Sequence, residues 1–280
     1  MKIALIGDLH YPAIDETIPG LFEARENFYE QFIQRFLDVE ADFHVSIGDL
    51  TNYGMPHELR SIYSLIGNRR NFYHTLGNHD VYSLTKKELL ALTGQQRYHS
   101  FETEQAVFAF LDTARELDFE TWGGWIDEEQ LKWFEQVIQD SADKPLLVFA
   151  HHPVYNTTAR SNFENGSIHP NIDMWKLLNQ KEGVGIFFNG HTHIDSITKE
   201  SNWTFVQTSS VLDQRAFRLI EIDKDHISIS AIDVDNETLA KHAVEIYTHI
   251  NHYTHQTTAR GTTTNRNCTI LLDTAAVPVL

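Results

Sequence analysis

The sequence predicts an α/β protein in which two sheets pack face to face with helices outside them. Three observations carry this. Short apolar runs of strand length recur along the chain, segments of helical period separate them, and closely spaced strand-like runs follow. Ile3 to Ile6 is the first strand-like run. Leu21 to Val39 then places Phe28, Phe32, Phe36 and Val39 at spacings of three or four, which makes one apolar helical stripe. Strands are expected next at Phe43 to Ile47, Asn71 to Leu76 and Ala106 to Leu111. Asp127 to Val137 opens on a good N-cap, Asp127, with Gln130 three residues on, close to a capping box. Leu131, Phe134 and Ile138 form the apolar face of that helix. Leu146 to Ala150 and Val184 to Phe188 read as buried strands. Trp203 to Thr208, Ala216 to Ile222 and His226 to Ile232 lie close together, with Asp223-Lys224-Asp225 as a turn between the last two. They predict a second, partly antiparallel sheet. From about Tyr247 the composition shifts to Thr, Asn and His, and the chain ends in the apolar run Ala275 to Leu280. The expected organisation is one domain over 1–246 and a C-terminal extension over 247–280. The extension is either flexible or packed on the domain or on a neighbouring subunit.

The composition is that of a folded domain, with 41% hydrophobic and 22% charged residues in 280. The formal net charge of −17 repels phosphate backbones and anionic lipid, so long nucleic acids and membranes are not expected partners. Solubility is the plain reading of that charge. A small phosphorylated substrate remains compatible, because bound metal reverses the field locally. The single cysteine, Cys268, excludes an intrachain disulfide and a thiolate zinc site. The apolar run at the N-terminus is too short for a signal peptide, and no stretch approaches the roughly 18 apolar residues of a membrane span. A cytoplasmic location is expected, and homo-oligomerisation is left open.

The polar residues fall in a pattern. Asp8-Leu9-His10 follows the first strand, Gly48-Asp49 the second and Gly77-Asn78-His79-Asp80 the third. His151-His152 follows the run ending at Ala150, and Gly190-His191-Thr192-His193 the run ending at Phe188. Ligands in α/β sheets bind beyond the carboxyl ends of strands, so five polar clusters at such ends converge on one rim. Carboxylate, imidazole and amide oxygen suit divalent Mn, Fe or Zn. Asp8 and His10, one residue apart, can reach one ion, and the two oxygens of Asp49 can bridge two. Glycines at 7, 48, 77 and 190 let the backbone come close to the metals. Each piece alone occurs by chance in loops; the ordered set, each member after a strand signal, is what carries the reading.

The set Gly48-Asp49-Leu50-Thr51-Asn52, Leu76-Gly77-Asn78-His79-Asp80, Ala150-His151-His152-Pro153 and Asn189-Gly190-His191-Thr192-His193 resembles the calcineurin-like metallophosphoesterase superfamily. It is most similar to the class III cyclic nucleotide phosphodiesterase branch, over roughly residues 1 to 232. Two positions depart from the usual pattern: Val154 and Leu76 stand where that family often has proline. The resemblance implies a four-layer α/β/β/α sandwich of two mixed sheets and a catalytic domain over 1–246 holding two divalent metal ions. It implies Asp8, His10, Asp49 and His193 around the first metal, and Asp49, Asn78, His151 and His191 around the second. His79 would protonate the leaving oxygen, and Asp80 would orient His79 by a hydrogen bond. The implied reaction is hydrolysis of a small phosphodiester, a cyclic nucleotide first, by a hydroxide held between the cations. The rival readings are a phosphomonoesterase, a nuclease, which the acidic charge disfavours, and a non-catalytic scaffold, which the full ligand set disfavours.

Other residues carry weaker signals. His152 reads equally as a substrate contact or a loop support. Arg160 can bind phosphate bidentately, although exposed arginines are more often solvated. The loop Ser161 to Pro170, after Tyr155 and Asn156, is a candidate cover for the site, and Asn52 and His57 are candidate pocket residues. Asp112 reads as structural. Trp122, Trp125 and Trp133 read as core packing rather than as a stacking platform. His249, His252 and His255 recur every three residues and read as a helical edge rather than a third metal site.

Overall fold

The computed structural model describes residues 1–67, 71–234 and 236–272. The chain runs β1 (Lys2–Ile6), α1 (Leu21–Leu37), β2 (Phe43–Ser46), α2 (Pro56–Ile66) and β3 (Phe72–His74). It continues through α3 (Lys86–Thr93), β4 (His99–Glu102), β5 (Val107–Phe110), α4 (Glu128–Asp140), β6 (Leu146–Phe149), α5 (Met174–Leu178) and β7 (Gly185–Asn189). It ends with β8 (Ser196–Glu200), β9 (Trp203–Gln207), β10 (Ala216–Ile222), β11 (His226–Asp233), α6 (Glu237–His249) and β12 (Cys268–Leu271).

Two six-stranded mixed sheets form, in the orders β12-β11-β10-β1-β2-β3 and β4-β5-β6-β7-β9-β8. The period of two along each strand sorts its side chains into layers. Ile3 and Leu5 face the space between the sheets, where they meet Phe108, Phe110, Leu147 and Phe149. Their neighbours Ala4 and Ile6 point the other way, into a layer with Phe28, Phe32 and Phe36 of α1 and Leu239 of α6. On the far side, Ala109, Val148 and Phe187 pack with Phe134 of α4 and Leu178 of α5. Three apolar layers between four tiers of structure make the α/β/β/α sandwich. Phe149 sits between Phe110 and Phe188 with ring centroids 4.9 and 5.1 Å away, and a buried ring of this kind contributes about 1.5–3 kcal/mol.

The three late runs do not make a sheet of their own. β10 pairs antiparallel with β1 in the register Ala4↔Leu219, and β11 follows it, so both extend the first sheet. β9 instead lies between β7 and β8 in the second sheet. Parallel pairing with β2 takes one side of β1, and its other side needs a partner that only a late strand supplies. The expected turn stands: Asp223 N–H bonds to His226 O between β10 and β11.

Asp127 caps α4 through Oδ1 and the Gln130 N–H at 2.9 Å. The box is not closed, because the Gln130 amide is spent on both backbone groups of Asp112. After α6 the chain crosses the mouth of the sandwich and adds β12 to the edge of β11. The run Ala275 to Leu280 lies outside the described residues. No helix among the described residues is long and apolar enough to cross a membrane.

Candidate metal centre

β1, β2 and β3 run parallel, as do β5, β6 and β7, and their carboxyl ends open on one rim of the sandwich. The predicted Asp8, His10, Asp49, Asn78, His79, His151, His191 and His193 all come together there. Loop bonds from Asp8 N–H to Gly48 O and from His10 N–H to Asp49 O tie the first two loops together. Asp8, His10, Asp49, His191 and His193 adopt left-handed backbone, with φ from 48° to 75°. Each such residue costs about 1–2 kcal/mol, a strain that clusters at functional sites.

Two glycines allow the loops to close. A Cβ on Gly77 would lie 2.1 Å from Asp49 Oδ1 and 2.2 Å from the Asp49 backbone nitrogen. A Cβ on Gly190 would lie 2.2 Å from Asp8 Oδ2. Asp8 Oδ1 uses that space to accept the His191 N–H at 2.9 Å.

The hydrogen-bond partners assign the tautomers. His151 Nδ1–H donates to Ile47 O at 3.1 Å, and His191 Nε2–H donates to Asn165 O at 2.8 Å. The lone pairs of His151 Nε2 and His191 Nδ1 therefore face each other at 3.2 Å. His10 Nδ1–H donates to Asn52 Oδ1, and His193 Nδ1 points at Asp213 Oδ2, 3.6 Å away. That leaves His10 Nε2 and His193 Nε2 face to face at 3.0 Å. Two acceptor nitrogens at such distances repel unless a cation or a proton lies between them. Each pair has carboxylate at hand: Asp49 Oδ2 is 3.3 Å from His151 Nε2 and 3.7 Å from His10 Nε2, and Asp8 Oδ1 is 3.5 Å from His193 Nε2. Asn78 gives its Nδ2–H to Tyr82 Oη, which turns Oδ1 toward His151 Nε2 at 3.1 Å. The donor set of carboxylate, imidazole and amide oxygen fits a divalent cation, and each imidazole is held through its other nitrogen, as in metal sites generally.

Charges respond to this crowding. Burial pushes Asp8 up to about 6, against the pull of His193 and His151. Burial opposes ionisation of Asp49 too, but His151 and His79 outweigh it and hold Asp49 well below the usual carboxylate range. Burial disfavours a charged His151, yet Asp49 wins and raises it to about 9. Burial and the neighbouring His151 lower His191 to about 3.

His79 Nδ1–H donates to the Asn52 carbonyl at 2.8 Å, and its Nε2 looks into the centre, 3.9 Å from Asp49 Oδ2. The expected hydrogen bond from Asp80 to His79 is not made. The two residues share one 3-10 turn, His79–Val81, which sends adjacent side chains apart. Asp80 Oδ1 accepts from Thr51 N and Oγ1, while Oδ2 accepts from Gly77 N and pairs with His74 Nε2. Asp80 thus braces the loops of Asp49 and Asn78.

His152 lies close enough to His151 and His191 to complete a third imidazole of a cluster. Its nitrogens are both engaged, Nδ1 by the Thr113 hydroxyl and Nε2–H by Trp122 O, so it supports the loop. Asn52 orients His10 and reaches Asn251 O; His57 is exposed on α2, away from the cleft. Asp112 pairs with Lys86 and Arg97, a structural role. The loop after Ser161 brings Phe163, Glu164 and Gly166 to the cleft beside Arg160. Trp122 and Trp125 are not core residues, at 45% and 44% exposed; Trp122 lines the cleft, and Trp133, within α4, is partly buried against the core layer beneath that helix. The three late histidines separate: His249 ends α6, His252 lines the cleft, and His255 bonds Asp213 Oδ1 at 2.6 Å.

Sequence reasoning misses Asp213, Tyr253, Tyr82 and Phe119. Asp213 lies six residues past the end of β9, behind the apolar Val211-Leu212, so the strand-end signal that marks the other five clusters does not reach it. Tyr82 lies four residues after Asn78. Tyr253 packs its ring edge-on to His10 at 5.0 Å and bonds Ser210 Oγ, a contact between distant segments that no local pattern announces.

The family model for calcineurin-like phosphoesterases matches residues 1–195. A glycerophosphodiester phosphodiesterase of Enterobacter lignolyticus is 28% identical over 160 residues, 55% of this chain and 57% of that protein. The chain therefore spans little more than half the length of that relative. A probable cyclic nucleotide phosphodiesterase of Rhodopseudomonas palustris is 28% identical over 205 residues, 69% of this chain and 72% of that protein. A dimetal phosphatase structure from Danio rerio superposes with a TM-score of 0.66 at 16% identity, covering 83% of this chain and 96% of that one. At that identity the likeness is one of fold.

Proposed function

Because this chain belongs to the calcineurin-like phosphoesterase family, we propose that its centre binds two divalent cations and hydrolyses a small phosphodiester, a cyclic nucleotide in the first place. The observation that carries this is Asp49, whose Oδ2 stands within reach of both facing imidazole pairs. Asp8, His10, Asp49 and His193 would hold one ion, and Asp49, Asn78, His151 and His191 the other. Bound there, Mn, Fe or Zn supplies charge stabilisation to a phosphoryl group and acidifies water.

The chain's own residues do the rest. The Asn52 carbonyl fixes the His79 ring so that Nε2 is the atom that carries a proton to the leaving oxygen. Asp80, through Thr51 and Gly77, keeps the loops of Asp49 and Asn78 in register. Tyr253 seals the His10 and His193 side against water. Among the described residues lining the cleft, Arg160 is the one lysine or arginine, and its Nη1 is engaged by Gln256 Oε1. A singly charged diester suits such a site better than a dianionic monoester. The two relatives named as phosphodiesterases support the same reading.

The test is a rate comparison on purified, Mn-loaded protein with bis-p-nitrophenyl phosphate, p-nitrophenyl phosphate and cyclic nucleotides. Faster turnover of the diesters is expected. A clear preference for the monoester overturns the proposal.

A further inference from the structure

We infer that Tyr82, Phe119 and His252 form a subsite for a planar aromatic leaving group, a nucleobase or aryl ring, with Phe119 setting that preference. This rests on the phosphodiesterase reading above. The rings make a continuous wall outward from His79. Tyr82 lies 4.6 Å from the His79 ring, and Phe119 stacks on Tyr82 at 4.5 Å with 22° between planes. His252 closes the corner at 5.6 Å from Phe119 and 6.1 Å from Tyr82. A leaving oxygen protonated at His79 Nε2 would therefore carry its substituent along this wall.

The wall is both open and rigid. Phe119 is 47% exposed, and Trp122 and Phe163, at 45% and 60%, border the same cleft. Rings gathered at one mouth point to ligand contact rather than to chance surface residues. His252 holds a left-handed φ of 60°. Its neighbour Asn251 fixes it, donating N–H to Tyr53 Oη at 2.9 Å and accepting from Asn52 Nδ2 at 3.0 Å. The same Asn52 orients His10 and His79, so the wall and the centre share one support. Glu120 and Glu164 flank Trp122 and Phe163, which disfavours a second phosphate and favours an uncharged ring. The cleft encloses about 470 Å³, within the range of about 300–1,000 Å³ for small-molecule sites.

The experiment compares wild type, F119A and F119W. It measures kcat/KM for cyclic AMP and for glycerophosphoethanolamine, and calorimetric dissociation constants for AMP and glycerol phosphate. F119A should lower kcat/KM on cyclic AMP, and AMP affinity, by about 10-fold, within the range for loss of one aromatic stack. The polyol compounds should change by less than about 2-fold, and F119W should keep the cyclic AMP rate. Equal losses on both classes, or no loss of AMP affinity, overturn the inference. If wild type turns over neither diester, the proposed function fails, while the AMP binding arm still decides the subsite.

Discussion

Gly190→Ala tests whether the close packing of loops is what shapes the metal centre. The new Cβ would stand 2.2 Å from Asp8 Oδ2, where ordinary contact begins at 3.4 Å, so the carboxylate must retreat by about 1.2 Å. The backbone at 190 cannot give way easily. Its N–H is bonded to His151 O, and its carbonyl accepts the Thr192 N–H, each at 2.9 Å. Asp8 must therefore turn, abandoning the His191 N–H and its place beside His193 Nε2. Changes that merely disturb the partners of metal ligands cost about 10–100-fold in affinity. Displacing a ligand itself should reach the upper end, about 100-fold, or roughly 2.7 kcal/mol. The site built on Asn78, His151 and His191 should weaken too, but by less, since it shares Asp49 with the first site and its His191 N–H loses the Asp8 carboxylate. Calorimetric titration of chelator-treated protein with Mn resolves the two sites, and circular dichroism checks the fold. If folded G190A binds two equivalents as tightly as wild type, Asp8 is not a ligand held in place by that glycine.

Three further outcomes follow from the same geometry. His79→Ala should keep both metals and lose roughly 10²–10⁴ in rate, most on esters with poor leaving groups; loss of metal in that variant would contradict its role. His151, raised to about 9 in the free site, must shed its proton on binding metal. Apparent metal affinity should then fall as pH drops below about 9, by up to roughly tenfold per unit, with proton release at pH ~7 visible in buffers of different ionisation enthalpy. Metal uptake without proton release would refute this. Asp195→Ala removes the partner of the buried Arg218 and Arg266 guanidiniums, at 2.9 and 3.1 Å, and should cost about 3–5 kcal/mol in urea unfolding; a loss under about 1 kcal/mol would show that the cluster is not a buried support.

What can be read from sequence depends on how many sides of an element are buried. β5, β6 and β7 are covered on both faces, so they appear as unbroken apolar runs. β4, β8 and β12 lie at or beside sheet edges with half-exposed side chains, and each lacks such a run. α2 is short and shows only Leu59, Ile62 and Ile66 at helical period behind a proline start, too little to mark it in the sequence. The proposed ligands were legible because each follows a strand. Their supports were not. Ile47 O, Asn165 O and Asn52 O are backbone carbonyls, which any residue type supplies. Asp80 shows the opposite error, in which adjacency in a motif is mistaken for contact in space.

The path of Tyr253 has a consequence for how the protein is made. β1 leads into the loop of Asp8 and His10, yet it waits for β10, more than 200 positions later, to pair along its second edge. Tyr253 then closes over His10 from a segment that follows α6. Contacts of such long sequence separation form late and slowly. A ribosome synthesises an N-terminal half first, at about 5–20 residues per second. For some ten seconds or more, Asp8 and His10 are out of the tunnel without the strand that steadies them or the ring that covers them. If these residues hold metal as proposed, the centre is complete only once β10 and the segment carrying Tyr253 have been made.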